Sequence, residues 1–112
     1  MGARTDGLSR SAFLVLLALA DQPAHGLAII DRVADATGGE VRLGPGTLYG
    51  TLQKLVADGL IRETAAPDPA DDDPRRRYYR LTPKAQREVR QEAVRLRSLV
   101  QAAVDRRILE DQ

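Results

Sequence analysis

The sequence lacks cysteine, has one histidine and carries almost no net charge. Without cysteine, the 112 residues can form neither a disulfide nor a thiolate metal site, which fits a reducing cytoplasm. The net charge of +1 comes from 17 basic and 16 acidic side chains. For nucleic-acid binding the location of charge matters more than its sum, so this balance does not decide the partner.

The sequence also lacks any long hydrophobic run. The longest, residues 12–20, has nine apolar residues, whereas a membrane-spanning helix needs about 20. Residues 1–10 do not show the basic-then-apolar layout of a secretory signal. Since 43% of the residues are hydrophobic, one compact domain with a real core is possible. We therefore expect a soluble, cytoplasmic protein with no membrane partner.

Four segments have the features of helices. Ser9 and Thr82 are N-cap residue types, and prolines at the first helical position or just past a helix end mark further boundaries. Glycines at 38, 39 and 59 are expected to end two of the helices. The predicted helices are residues 9–21, 23–37, 45–58 and 83–109.

Three segments are predicted to be strands. Residues 60–64 and 77–81 are expected to form a hairpin around a long loop, residues 65–76, that contains three prolines. Residues 41–43 alternate apolar and polar and could add a very short strand. Tyr78 and Tyr79 point to opposite faces of their strand, so one should be buried and the other exposed, in either order.

The helices are amphipathic in different ways. The second helix is predicted to have one apolar face, formed by Leu27, Ile30, Val33 and Ala34. On the third, the predicted buried stripe is Leu48, Leu52, Leu55 and Val56, and the opposite face has Thr47, Tyr49, Gly50, Gln53 and Lys54. On the fourth, a period of 3.5 residues is typical of a helix that packs along another helix, and its apolar positions are Val89, Ala93, Leu96, Val100 and Ala103.

Two of the predicted helices have more apolar surface than one small domain can bury. Residues 13–17 of the first helix are apolar on nearly every face. A fourth helix over residues 83–109 would be roughly 40 Å long. Three helices followed by a two-stranded hairpin form the winged-helix arrangement, in which the second and third helices are a helix-turn-helix. We therefore predict a mainly α fold with a small β-hairpin, that is, a winged helix-turn-helix plus a long C-terminal dimerisation helix. The predicted parts are a DNA-binding unit, residues 1–82, and the dimerisation helix, residues 83–112.

Three motifs resemble the PadR family of transcriptional regulators. They are Gly-Pro-Gly-Thr-Leu-Tyr-Gly-Thr-Leu-Gln-Lys-Leu from Gly44 with Asp-Gly-Leu-Ile from Asp58, Ala-His-Gly from Ala24, and Arg-Arg-Tyr-Tyr-Arg-Leu-Thr from Arg76. The single modest terminal helix resembles the family's shorter size class. The resemblance implies a homodimeric repressor of double-stranded DNA, often released by a small-molecule inducer, with an inverted repeat as its site. No cofactor and no enzyme activity are predicted, because the sequence has no cysteine nucleophile and no motif that supports a serine–histidine–acid triad or a phosphate-binding loop.

The candidate DNA contacts come from three parts of the chain. Gln53 is the candidate base reader, Lys54 a phosphate clamp, and Tyr49 a contact to phosphate or to a thymine methyl. The alternatives are that Tyr49 packs internally, that Thr47 supports the helix start and that Gln53 and Lys54 are only solvated. Gly50 favours close approach either to DNA or to another part of the chain. The full predicted set is His25, Gly44, Pro45, Gly46, Thr47, Tyr49, Gln53, Lys54, Arg75, Arg76 and Arg77.

A second predicted site is a cleft between subunits, lined by Phe13, Leu16, Leu96 and Val100. These side chains either bind an inducer or form the dimer core. A winged-helix module that binds another protein, with an incidental basic surface, is the alternative function.

Two features depart from the family pattern. Leu27 and Ala28 stand where an aromatic and an acid are usual. The loop places Asp68 and the acids at 71–73 near four arginines, so its tip should point away from DNA. Three adjacent carboxylates lack the geometry of a calcium loop, and no metal site is predicted.

Overall fold

The computed structural model describes residues 8–68, 70 and 73–110. Its helices and strands follow the predicted order with one addition, a two-residue strand before the second helix, and one omission, the short strand predicted at residues 41–43. The mainly helical winged helix-turn-helix class is therefore confirmed. The elements are α1 (Arg10–Ala18), β1 (Ala24–His25), α2 (Gly26–Ala36), α3 (Pro45–Ala57), β2 (Ile61–Thr64), β3 (Tyr78–Leu81) and α4 (Pro83–Asp105).

Local capping explains where the helices begin. The Ser9 hydroxyl accepts a hydrogen bond from the Ala12 amide at 3.1 Å, and Thr82 does the same for Ala85 at 3.2 Å. Each bond satisfies an amide that has no partner inside its helix. α3 has no side-chain cap and begins with Pro45 at a position that needs no N–H.

The sheet has three antiparallel strands in the order β1-β3-β2. In the hairpin Ile61 lies opposite Leu81, and in the added pair His25 lies opposite Tyr78. The predicted strand at residues 41–43 is wrong: that segment has no strand pairing. β3 is paired on both sides, with β1 and β2, so residues 41–43 cannot join the sheet at that strand.

Helix lengths also differ from the prediction. α2 begins at Gly26 instead of residue 23, because the two residues before it belong to β1. α1 ends at Ala18 and α4 at Asp105, each before the predicted end. At the end of α4, Arg107 has a φ of 61°, and the Ile108 amide closes the turn by donating to Ala103 O at 2.8 Å.

The core lies where the three-helix unit meets the sheet. Its largest fully buried side chains come from α1, α2, α3 and the start of the hairpin, and are Val15, Leu16, Ile29, Val33, Leu48, Leu52, Leu60 and Ile61. Two apolar residues predicted on buried faces are exposed instead, Leu27 at 64% and Val56 at 45%. Both side chains lie on the side of their helix that faces the hairpin, outside the continuous core.

The start of α4 is tied to the hairpin and to the end of α3. The Thr82 hydroxyl donates to Gly59 O at 2.7 Å, and Lys84 Nζ donates to Asp58 O at 2.9 Å. Gly59 itself has a φ of 75°, a conformation that glycine adopts without steric cost. These bonds fix the direction in which α4 leaves the hairpin.

Beyond its first turns, α4 is largely uncovered. It packs against α1 and β3, with Ala85 and Val89 buried, but Leu96, Leu99 and Val100 are exposed. Glu92 is buried to 7% exposure and accepts from Arg95 Nε at 3.1 Å. That hydrogen bond lowers the pKa of the Glu92 carboxyl against the opposing effect of its burial.

Candidate nucleic-acid interface

The outward face of α3 is polar and accessible. Leu48, Leu52 and Leu55 face the core, which turns Gln53 and Lys54 outwards, where both are exposed. Tyr49 is 58% exposed, so it does not pack as an internal anchor. The helix start is exposed as well, from Gly44 to Thr47.

Gly50 lies in the middle of this outward face. Among the residues that the structure describes, a Cβ atom added at Gly50 would meet nothing within 4 Å beyond the adjacent backbone of α3, and the residue is exposed. Close packing within the chain therefore does not explain a residue that costs up to about 1 kcal/mol relative to alanine in a helix interior. Of the two alternatives for Gly50, close approach to something outside the chain is the one that the geometry leaves.

A cavity of about 280 Å³ joins three of the predicted segments. It lies between the start of α2, the exposed face of α3 and the second half of the hairpin. Its lining combines ring, guanidinium and hydroxyl groups, from His25, Gly26, Leu27, Tyr49, Arg75, Arg76, Arg77 and Tyr79. Residues that lie far apart in the sequence thus bring three guanidinium groups to one concavity, and such groups can attract an anion.

His25 has a structural role at this cavity. Its Nδ1 accepts from the Ala28 amide at 3.4 Å, which caps α2. Its ring meets the Tyr78 ring edge-on, with centroids 5.2 Å apart, an arrangement that aromatic rings favour. Tyr78 is thus the buried tyrosine of the pair and Tyr79 the partly exposed one, which resolves the order that the sequence left open.

The three arginines of the hairpin differ in their partners. Arg77 Nη1 donates to Glu63 Oε2 at 3.0 Å, and Arg75 Nε pairs with Asp73 Oδ1 at 3.3 Å. Hydrogen bonds from the Arg75 amide, and then from its guanidinium, lower the pKa of the Asp73 carboxyl. Of the predicted acid run, residues 71 and 72 lie outside the described part of the chain.

A second groove of about 620 Å³ lies between α3 and the hairpin. Four of its lining residues were absent from the predicted site, namely Leu52, Val56, Glu63 and Tyr79. Partial burial raises the pKa of the Tyr79 hydroxyl, and the Glu63 carboxylate raises it further. Strand alternation could have identified Glu63 and Tyr79, since they are directly opposite across β2 and β3.

A third groove, of about 570 Å³, runs along the other side of α3 beside α1. Gly46, Thr47 and Lys54 line it from α3, and Ser9 and Ala12 line it from the first helix. α3 is therefore flanked by open space on both sides. This shape lets the helix enter a groove of another molecule.

The residues of the predicted inter-subunit cleft are not all accessible. Leu16 is fully buried in the core of its own chain, and Phe13 is half-buried against that core. Leu96 and Val100 are exposed at 36% and 53%. The cleft between subunits therefore stays a prediction, with Leu16 inside the core and Leu96 and Val100 at the surface.

The family follows from a comparison with known proteins. The sequence model of the transcriptional regulator PadR-like family matches residues 15–91, more than half of the chain. The chain belongs to the PadR-like family. The matched segment contains the whole of α2, α3 and the hairpin, and membership of a family of regulators confirms the prediction that the protein is not an enzyme.

Solved structures show the same fold. A PadR family transcription regulator from Clostridium difficile is similar with a TM-score of 0.73 at 20% identity, over 90% of this chain and 100% of that one. The PcaV transcriptional regulator of Streptomyces coelicolor, in complex with its natural ligand, is similar with a TM-score of 0.70 at 24% identity. That likeness covers 89% of this chain and 63% of PcaV.

One curated relative is closer in sequence than these structures. An uncharacterized 37.1 kDa protein in transposon TN4556 of Streptomyces fradiae is 42% identical over 80 residues. The aligned part is 71% of this chain and 21% of the relative, so the chain spans about a fifth of that protein's length.

Membrane spans and metal clusters are both absent from the described residues. Over 8–68, 70 and 73–110, no helix is both long and apolar enough to cross a membrane. Over the same residues, no group of three or more histidines and acids is placed to hold a metal ion.

Proposed function

We propose that this PadR-like regulator is a homodimeric repressor that binds an inverted-repeat DNA site and is released by a small-molecule ligand. The observation that carries the proposal is the outward face of α3. Its polar side chains, Gln53 and Lys54 among them, are exposed beside a cavity that three arginines line. A helix with this surface suits a major groove about 12 Å wide.

In the proposed complex α3 lies in the major groove and reads base edges. Gln53 is the base reader because its amide both donates and accepts, as adenine recognition requires. Tyr49 and Lys54 flank it on opposite sides, where they can contact the two phosphate backbones. At the exposed start of α3, the amides of Gly44, Gly46 and Thr47 and the Thr47 hydroxyl add donors for a phosphate, and Pro45, which has no N–H, would contact the backbone by packing.

The 280 Å³ cavity is the proposed seat of a backbone phosphate. Guanidinium groups of Arg75, Arg76 and Arg77 and the Tyr49 hydroxyl line it, and all of them can donate to phosphate oxygens. The cavity also opens at the start of α2, whose His25 caps the helix, and helix starts favour anions. The cavity lies between α3 and the hairpin, where the DNA backbone that separates a major from a minor groove would pass.

The exposed apolar part of α4 supports the dimer. Leu96, Leu99 and Val100 remain 36–54% exposed, and Leu17 of α1 is exposed at 42%. Burial of such side chains stabilises a complex by about 25 cal/mol per Å² of apolar area. A second copy of α1 and α4 would supply the surface that buries them. A two-fold dimer would place two α3 helices about 34–36 Å apart, one turn of DNA, and would therefore prefer an inverted repeat.

A ligand site at the dimer interface completes the proposal. Phe13, Leu96 and Val100 would line it, and Leu16 would lie behind them in the core. The PcaV neighbour was crystallised with its natural ligand, which supports ligand control for this fold. To release DNA, a ligand must bind the DNA-incompetent arrangement more tightly than the competent one.

The experiment is selection of bound duplexes from a random pool, followed by fluorescence anisotropy at several salt concentrations. A preferred inverted repeat and a steep loss of affinity with salt are expected. Lys54→Ala and Arg76→Ala should each weaken binding to all duplexes and reduce the salt slope by about 0.9 for each phosphate that the variant no longer neutralises.

Arg97→Ala on the exposed part of α4 is the matched control and should leave the salt slope unchanged. Absence of a preferred duplex, together with weak salt dependence, would contradict the proposed function.

A further inference from the structure

The hairpin brings carboxylates to the same arginines that the proposed phosphate site uses. Glu63 accepts from Arg77 at 3.0 Å, and Asp73 accepts from the Arg75 guanidinium at 3.3 Å. Arg76, between them, has no such ion pair among the described residues. Two of the three guanidinium groups that line the cavity therefore already have a carboxylate partner within the chain.

We propose that Glu63 and Asp73 are intramolecular competitors of DNA, which hold Arg77 and Arg75 until a phosphate displaces them and so set the affinity for every duplex. This inference rests on the proposed function, because it concerns the same surface. In the free protein each guanidinium donates hydrogen bonds to a carboxylate, and in the complex a phosphate oxygen replaces that carboxylate as the acceptor. The carboxylate then remains nearby as a negative charge facing DNA.

The exposure of both pairs makes this exchange possible. The side chains of Arg77 and Glu63 are 71% and 55% exposed, and those of Arg75 and Asp73 are 89% and 29% exposed. Exposed ion pairs of this kind change an equilibrium constant by about fivefold at most. A phosphate can therefore break them, at a cost in affinity that is measurable but not prohibitive.

Glu63 is placed to face DNA directly. Its side chain lines the groove between α3 and the hairpin, together with Tyr49 and Gln53 of the recognition face. Its charge is also close enough to Tyr79 to raise the pKa of that hydroxyl. A carboxylate in this groove repels any phosphate backbone irrespective of sequence.

The competition should lower affinity for all duplexes by the same factor. Base discrimination comes from contacts to base edges, which neither carboxylate is proposed to make. The ratio of operator to random-duplex affinity should therefore be unaffected by removing the competitors. With both carboxylates present, the lower affinity for all duplexes would leave only sites with full base contacts occupied at physiological salt.

The test measures Kd for a selected operator and for a random duplex between about 50 and 200 mM salt, a range over which phosphate contacts dominate. Glu63→Gln and Asp73→Asn should each tighten both Kd values about two- to fivefold per protomer and steepen the salt slope by up to about 0.9. Glu110→Gln, an exposed acid beyond the end of α4, is the control and should leave both Kd values unchanged.

A double-mutant cycle separates competition from a general charge effect. In an Arg77→Ala background the gain from Glu63→Gln should shrink, because the guanidinium that Glu63 holds is absent. A full gain in that background would overturn the competition.

Two further outcomes distinguish the proposals. Weaker operator binding by Glu63→Gln with random-duplex binding unchanged would also overturn the inference, since it would make Glu63 a base reader. A wild-type protein without salt-dependent duplex binding would contradict the proposed function and the inference together. A wild-type protein that binds, with both variants unchanged, would contradict the inference alone.

Discussion

Replacing Gly50 with alanine is expected to change stability and DNA affinity in opposite directions. Gly50 is in the interior of α3, and, apart from the neighbouring backbone of α3 itself, an added Cβ would meet no atom of the described residues within 4 Å. Alanine is favoured over glycine in a helix interior by about 1 kcal/mol. The Gly50→Ala variant should therefore unfold at a temperature a few degrees higher than the wild type.

The same methyl group should weaken DNA binding. If α3 approaches base edges as closely as the open face of Gly50 permits, a Cβ there over-packs the interface. Over-packing of well-fitted surfaces costs about 1–3 kcal/mol, which corresponds to an increase of roughly 5- to 150-fold in Kd. The effect should be larger for the operator than for random duplexes, because only the operator complex draws the helix fully into the groove.

The assays are thermal unfolding followed by circular dichroism and anisotropy with the selected operator. Ser98→Ala on the exposed surface of α4 is the control, since it also replaces a weaker helix former with alanine but lies away from α3. A Gly50→Ala variant with raised stability and unchanged operator affinity would refute the idea that DNA approach explains the glycine. A destabilised variant would refute the assignment of open space around it.

Three further predictions concern the helices. Thr82→Ala removes the cap of α4 and the bond to Gly59, so urea unfolding should show a loss of about 1–2 kcal/mol; an unchanged midpoint would contradict the capping role. Leu99→Asp places a charge on the exposed stripe of α4 and should yield monomers in sedimentation with greatly weakened operator binding, whereas an intact dimer would place the interface elsewhere. The pKa of Glu92 is lowered in the fold, so its contribution to stability is present above the unfolded pKa and is lost as pH falls through the folded one. Glu92→Gln should therefore make the urea midpoint fall less steeply as the pH is lowered. An equally steep fall would exclude the Glu92–Arg95 pair as its cause.

The sequence alone predicts those features that are decided within a few residues. Caps at Ser9 and Thr82, the proline at the start of α3 and the turn at Gly59 all depend on neighbouring atoms, and the structure confirms each. The leucine stripe of α3 was also predictable, because a period of 3.6 places its members on one face.

Features that depend on distant segments were not predictable in the same way. β1 has only two residues and forms because β3 has a free edge beside it, while residues 41–43 had a better alternation but no partner. Val56 was assigned to the core from its spacing, yet the core ends before it and Val56 lines a groove instead. The 280 Å³ cavity likewise required His25, Tyr49 and the hairpin arginines to meet in space, which periodicity cannot foresee.

The two-residue strand β1 has a consequence for how a ligand could control this protein. Because Ala24 and His25 pair with β3 and His25 also caps α2, the hairpin and the helix-turn-helix are joined at the point where DNA would rest. Bending the hairpin relative to α3 would break that pairing and uncap a helix. In the proposed dimer, the less costly motion leaves each reading unit intact and changes the separation or angle between the two α3 helices, so induction should alter half-site spacing preference before it alters base preference.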